Sequence, residues 1–343
     1  MLVSRDTLSA TELYLATHSR SGTSDIEGFD ELDQQIVVNY ILDCSRGLVE
    51  LTTGWQPQVQ FIHETVRQFL ISIDKDRAHM QKSRPVGFDF RPETCHDVVA
   101  EGCLRYLMHA CKSAPLNEET LRGLPLAKYS AVHWWQDMQA AMGIYSPRAL
   151  NLAMQLLTGS RADLLTWVQL CSFDGYMKVD FSLEEHDLAP SIYYAGRIGV
   201  LELMKRLIIF GADVNAQGGR YGNALQVASE SGNKEIVQLL LDRGADVNAQ
   251  GGMYGNALQA ASLDSNKEIV QLLLDRGADV LIDVNVLLRR QNRRWWKVPN
   301  VHCHTRFVLF SSSCSVNPCD RAYLASCRSE KSLILDLGTD CSR

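Results

Sequence analysis

The sequence has no C-x-x-C pair, no G-x-x-x-x-G-K-[ST] loop, no Gly-Lys dipeptide and no G-x-S-x-G elbow. Each absence excludes a chemistry. A Walker A loop needs glycines for the backbone to approach the phosphates and a lysine for their charge, so without it no ATP hydrolysis is expected. Without an exposed-serine elbow the α/β-hydrolase arrangement is missing. No window comes near the roughly 18 uncharged apolar residues of a membrane span. The first twenty residues lack the apolar core of a secretory signal and form an amphipathic pattern instead. The five cysteines before residue 281, Cys44, Cys95, Cys103, Cys111 and Cys171, lie scattered among apolar neighbours, as reduced, buried intracellular cysteines do. A soluble intracellular chain is expected.

What is present is unevenly spread. The 343 residues carry a net charge of −6 and are 46% hydrophobic, enough for two cored domains. Residues 281–343 hold ten Lys and Arg against five Asp and Glu, about +5, leaving about −11 for residues 1–280. Half of the ten cysteines fall in the same tail. Its spacing of His302, Cys303, His304, Cys314 and Cys319 does not match structural zinc sites, so no metal is expected. Arg289, Arg290, Arg293, Arg294 and Lys297 form the one basic run, and nuclear import is the localisation it would serve. With no period of its own, the tail is expected to be divergent and disordered, an extension outside the folded plan.

Residues 211–243 and 244–276 match at 28 of 33 positions. A weaker copy precedes them: Ile192, Ala195, Gly199, Leu207 and Gly211 each stand 33 residues before Leu225, Ala228, Gly232, Leu240 and Gly244. Period, order and residue types resemble ankyrin repeats. Asn223 and Asn256 are placed to N-cap the first helix of each unit. Gln226 and Gln259 stand where that family usually has His. The second helix starts at Lys234 and again at Lys267, burying Ile236, Val237 and Leu240 and their counterparts Ile269, Val270 and Leu273. Gly244 and Gly277 fall where such a helix must turn through positive φ. The two copies differ at Arg220/Met253, Val227/Ala260, Glu230/Leu263, Ser231/Asp264 and Gly232/Ser265. Most of these lie at the fingertip or at the end of the first helix, the surface ankyrin arrays present. The expected partner-binding residues are therefore Arg220, Tyr221, Glu230, Ser231, Met253, Tyr254, Leu263 and Asp264. The pattern stops after Val280, where Leu281 replaces the expected Asn and no polar cap follows.

Upstream, Ser9 and Glu12 form a capping box before an apolar helix. A second helix over about 30–43 places Ile36, Val37, Tyr40 and Ile41 on one face. L-V-E-L-T-T and Q-V-Q-F-I, split by G-W-Q-P, make a hairpin. A third helix follows with Val66, Phe69 and Leu70 inward. This is a winged-helix outline, and its acidic second helix (Asp30, Glu31, Asp33, Asp43) argues against DNA binding.

T-L-S-A-T-E-L-Y-L-A, I-V-V-N-Y-I-L-D-C-S-R-G-L-V-E-L-T and Q-F-I-H-E-T-V-R-Q-F-L resemble the GPI inositol-deacylase-type winged helix of fungal NACHT–ankyrin proteins, an NLR-like (STAND) class. C-H-D-V-V-A-E-G-C-L-R-Y-L and L-P-L-A-K-Y-S-A-V-H-W-W-Q-D-M resemble the helical stretch that follows it. The resemblance implies the C-terminal part of such a receptor without its NTPase core. It also implies that His63 touches a bound nucleotide if a NACHT core is supplied; alone, His63 reads as a structural residue at the hairpin–helix junction. The expected architecture is mostly α, with a winged helix at 1–80, a helical linker at 81–177, about three ankyrin units at 178–280 and the tail at 281–343. The expected function is non-catalytic, cofactor-free protein–protein recognition in an NLR-like signalling protein. The alternatives are a regulatory fragment serving a separately encoded NACHT core, and a degenerate gene remnant.

Overall fold

The computed structural model describes residues 8–18, 34–53, 57–77, 91–113, 115–172, 178–263 and 266–279. The chain divides into two units, Met1–Ala278 and Asp279–Arg343. The basic run at 289–297 and the rest of the tail lie outside the described residues, as do Asp264 and the side chain of Leu263.

The chain opens on two helices, α1 (Ala10–His18) and α2 (Gln34–Ser45), followed by strands β1 (Val49–Leu51) and β2 (Val59–Phe61) and helix α3 (Glu64–Arg77). The capping box is formed: Glu12 N–H donates to Ser9 Oγ at 3.2 Å, and Ser9 N–H to the Glu12 carboxylate at 2.8 Å. The strands pair antiparallel with Val49 opposite Phe61 and Leu51 opposite Val59. Val59 N–H also reaches Leu8 C=O at 2.8 Å, so the segment before α1 edges the hairpin. A small core of Ala10, Val37, Ile41, Val49 and Val59 holds these pieces together.

Three expectations shift here. On α2, Val37 and Ile41 are buried, but Ile36 and Tyr40 face outward; Val38 and Leu42 take the flanking core positions instead. On α3, Phe69 is 64% exposed. Cys44 is exposed and Cys95 half-buried; only Cys103, Cys111 and Cys171 fit the buried description.

Five helices follow: α4 (Pro92–Lys112), α5 (Glu118–Arg122), α6 (Ala127–Ala140), α7 (Pro147–Thr158) and α8 (Arg161–Cys171). Pro92 opens α4 at a position needing no N–H donor. Ser146 and Ser160 cap α7 and α8 through Ala149 N–H and Asp163 N–H, each at 3.0 Å. Trp134 and Trp167 are fully buried and tilt against each other at 5.5 Å, and Trp167 Nε1 donates to Ala131 C=O at 3.0 Å. The tryptophans thus act as core, and the Trp167 indole donor has its acceptor. Burial pushes the thiols of Cys111 and Cys171 up to about 12 and raises Cys103 further, so they remain protonated and unreactive.

Three helix pairs complete the described structure: α9 (Ser191–Ile198) with α10 (Leu201–Ile209), α11 (Ala224–Glu230) with α12 (Lys234–Asp242), and α13 (Ala257–Leu263) with α14 (Lys267–Asp275). The first helices stack α9–α11–α13 and the second α10–α12–α14. One continuous core runs from Leu8 and Leu15 through α4–α8 to Ala278, so the helical segment before the repeats is packed onto them rather than strung between domains. Ser191 Oγ bonds Leu157 C=O, and Arg206 donates to Asn151 at 3.2 Å, fixing α7 against the first pair.

Candidate protein-binding site

The second and third units each begin with a fingertip closed on itself. Gly218 N–H donates to Gly222 C=O at 2.7 Å, and Gly251 N–H to Gly255 C=O at 2.8 Å. Gly252 sits at φ +63, and a Cβ there would lie 2.1 Å from the Tyr221 carbonyl carbon, so the two fingertips approach as closely as backbone allows. Met253 N–H bonds Arg220 C=O at 2.8 Å across them. Asn223 and Asn256 cap the following helices as expected, accepting from Gln226 N–H at 2.9 Å and Gln259 N–H at 2.8 Å.

Gln226, 1% exposed, is the bracket beneath the fingertip of the next unit. Its side-chain amide lies 3.1 Å from Ala249 C=O, 3.3 Å from Gly251 C=O and 3.1 Å from Gly255 C=O. A second tie runs backwards: Asn233 Nδ2 donates to Gly196 C=O at 2.8 Å, and Asn266 Nδ2 to Ser229 C=O at 3.2 Å. Each closes the carbonyl end of the preceding unit's first helix.

The expected partner-binding residues that are described separate into three groups. Arg220 and Met253 reach the surface: Met253 is 38% exposed, and the Arg220 guanidinium lies 3.3 Å from its sulfur. Tyr221 and Tyr254 do not. They are 7% and 6% exposed, their rings 5.4 Å apart beneath the fingertips, and Tyr221 N–H bonds the Tyr193 hydroxyl at 3.3 Å. A fingertip turned through glycines brings the tyrosine under the loop, where its ring adds core; burial raises the Tyr221 phenol above its ordinary value.

Glu230 and Ser231 are half-buried and engaged by a residue the sequence comparison passed over. Arg197 makes an ion pair with Glu230, donates to Ser231 Oγ at 3.1 Å and lies over the Tyr221 ring at 5.4 Å. The signal was available: Arg197 stands 33 residues before Glu230, so this column reads Arg, Glu, Leu through Leu263. A variable position had an internal partner in the preceding unit.

His63 is exposed, and its Nδ1 accepts from Thr65 N–H at 3.1 Å, which caps the start of α3. The 184–187 stretch forms an exposed turn around Glu185–Asp187. Among the described residues no cluster of His, Cys, Asp or Glu is arranged to hold a metal ion, and no helix is long and apolar enough to cross a membrane.

The fold and this geometry define a mostly helical protein with an ankyrin-repeat array. The family model for ankyrin repeats matches three copies over residues 192–283. The chain is also similar to a protein of Monascus ruber described as azaphilone pigments biosynthesis cluster protein L, at 31% identity over 208 residues. That match covers 57% of this chain and 44% of the relative, so the chain spans less than half of the relative's length.

Proposed function

We propose that the chain is a non-catalytic recognition scaffold of an NLR-like signalling protein, binding a protein partner across the fingertips of its repeats. The observation that carries this is the Arg220–Met253 contact. It is a cation and a polarisable thioether held at the tips of two mutually bonded loops, exposed and preformed. A surface ordered before binding loses little conformational entropy when it binds. Methionine and arginine suit such a surface, one adapting to apolar shapes and the other reading carboxylates and carbonyls. Residues 8–77, with their helix–helix–hairpin–helix order and separate small core, serve as a winged-helix module in this proposal. The similarity to a pigment-cluster protein is compatible with biosynthetic enzymes as partners of the scaffold.

Hydrogen exchange tests this. A partner captured by the full chain, identified and purified, is expected to slow amide exchange over 217–223 and 250–256. Protection confined to α10, α12 and α14 would overturn the fingertip assignment.

A further inference from the structure

Helices α12 and α14 have the same sequence, K-E-I-V-Q-L-L-L-D, at 234–242 and 267–275. What covers one therefore shows what the other is built to receive. On α12, Lys234 Nζ lies 2.6 Å from the Glu268 carboxylate, Arg276 donates to Asp242 at 2.8 Å, and Val237 is fully buried, all through packing of α14. On α14 the same side chains face outward. Val270 is half-buried where Val237 is sealed, and Leu274 is 37% exposed where Leu241 is half-buried. Asp275 keeps the bond from Gln271 at 2.8 Å that Asp242 has from Gln238. Among the described residues neither Lys267 nor Asp275 has an ion-pair partner. The face is apolar along its centre, with one unmatched charge of each sign at its ends.

Head-to-tail stacking of a second copy cannot supply the missing partner, because the corresponding face of the first unit is covered by α6 and α7. Two-fold pairing can. Lys267 and Asp275 stand four residues either side of Gln271, each about 6 Å from it along the axis at 1.5 Å per residue. Antiparallel packing centred there brings the lysine of each helix to the aspartate of the other, with Val270 and Leu274 between. Isologous contacts of this kind need a self-complementary patch, which this charge pattern provides.

We propose that the chain self-associates through this face, α14 on α14 of a second copy about a two-fold axis at Gln271, with Lys267 and Asp275 paired twice. The surface is separate from the fingertips, so a dimer would present two recognition surfaces and bind a multivalent partner with avidity.

Sedimentation velocity of the full chain under reducing conditions tests it. The wild-type chain should dimerise at up to about 100 µM. K267E sets carboxylate against carboxylate and D275K ammonium against ammonium, twice per dimer; each should raise the dissociation constant about tenfold or more. The double variant K267E/D275K should return it to near the wild-type value, and K205E, at an exposed position of α10, should leave it unchanged. A wild-type chain that stays monomeric at about 100 µM, single reversals without effect, or a double variant that fails to recover would each overturn the proposal.

Discussion

The side-chain amide of Asn233 donates to the backbone carbonyl of Gly196, 2.8 Å away and 37 residues earlier in the chain. Asn266 repeats the bond one unit later, onto Ser229. With Gln226 reaching forward to the next fingertip, the junction of the second and third units is tied in both directions by buried or half-buried amides; at the first junction the forward tie is the Tyr193 hydroxyl, which accepts from Tyr221 N–H. Apolar stacking alone would let neighbouring helix pairs slide. These bonds set their register, and with it the fingertip surface.

Gln226 is the tie whose loss should be felt most. Q226A removes the donor for three half-buried fingertip carbonyls. A loss of about 1–3 kcal/mol in unfolding free energy is expected, read from urea denaturation. Hydrogen exchange at Gly251 and Gly255 should quicken in the same variant before the rest of the array responds.

Gly252 tests the approach of the fingertips to each other. In G252A the added methyl meets the Tyr221 carbonyl, and the left-handed backbone is disfavoured as well. At least about 1–2 kcal/mol should be lost, seen as a lower melting temperature. Gly244, also at positive φ but with open space around its missing Cβ, should tolerate alanine better than Gly252.

Between α4 and α6, His96 Nδ1 lies 2.7 Å from Asp137 Oδ1, with the aspartate 1% exposed. H96A strands that carboxylate in the core, at a cost of about 2–4 kcal/mol. D137N should cost less, since an amide can still bond the imidazole and carries no charge. Thermal unfolding of the two variants against the wild type gives the comparison.

The pairs between α12 and α14 predict an acid limb. Asp242 is held below the ordinary carboxylate range by the Gln238 amide and Arg276, and Glu268 by the bond from Lys234. A depressed carboxylate stabilises the fold above its unfolded-state value, and that contribution disappears as pH falls through the folded one. Stability should therefore decline below about pH 4, more gently in D242N/E268Q than in the wild type. Both pairs are exposed, so raising salt at neutral pH should shrink the difference.

The repeats were legible because their signal is periodic. A 33-residue identity fixes which side chains share a column, and caps, helix starts and turning glycines follow from it. Exposure within a column was not legible. Tyr221 and Tyr254 have an apolar ring and a polar tip, and only the path of a glycine-rich loop decides that the ring goes inside. Helix α2 shows the same limit: apolar residues at 36–38 and again at 40–42 offer two adjacent stripes, and packing against α1 and β1 selects 37 and 41. Arg197 has no signal within the two near-identical copies, because its partner Glu230 pairs across the junction with the weaker first copy. Continuity of the core from α4 to α14 has no periodic signature and emerges only from the folded chain.

Titration calorimetry on the fingertips is the most direct measurement. With the purified captured partner, the wild-type chain, R220A/M253A and K205A should be compared. The double fingertip variant is expected to bind at least about tenfold more weakly, with K205A matching the wild type and all three unfolding at similar temperatures. Equal affinity of R220A/M253A and the wild-type chain would contradict recognition through this surface.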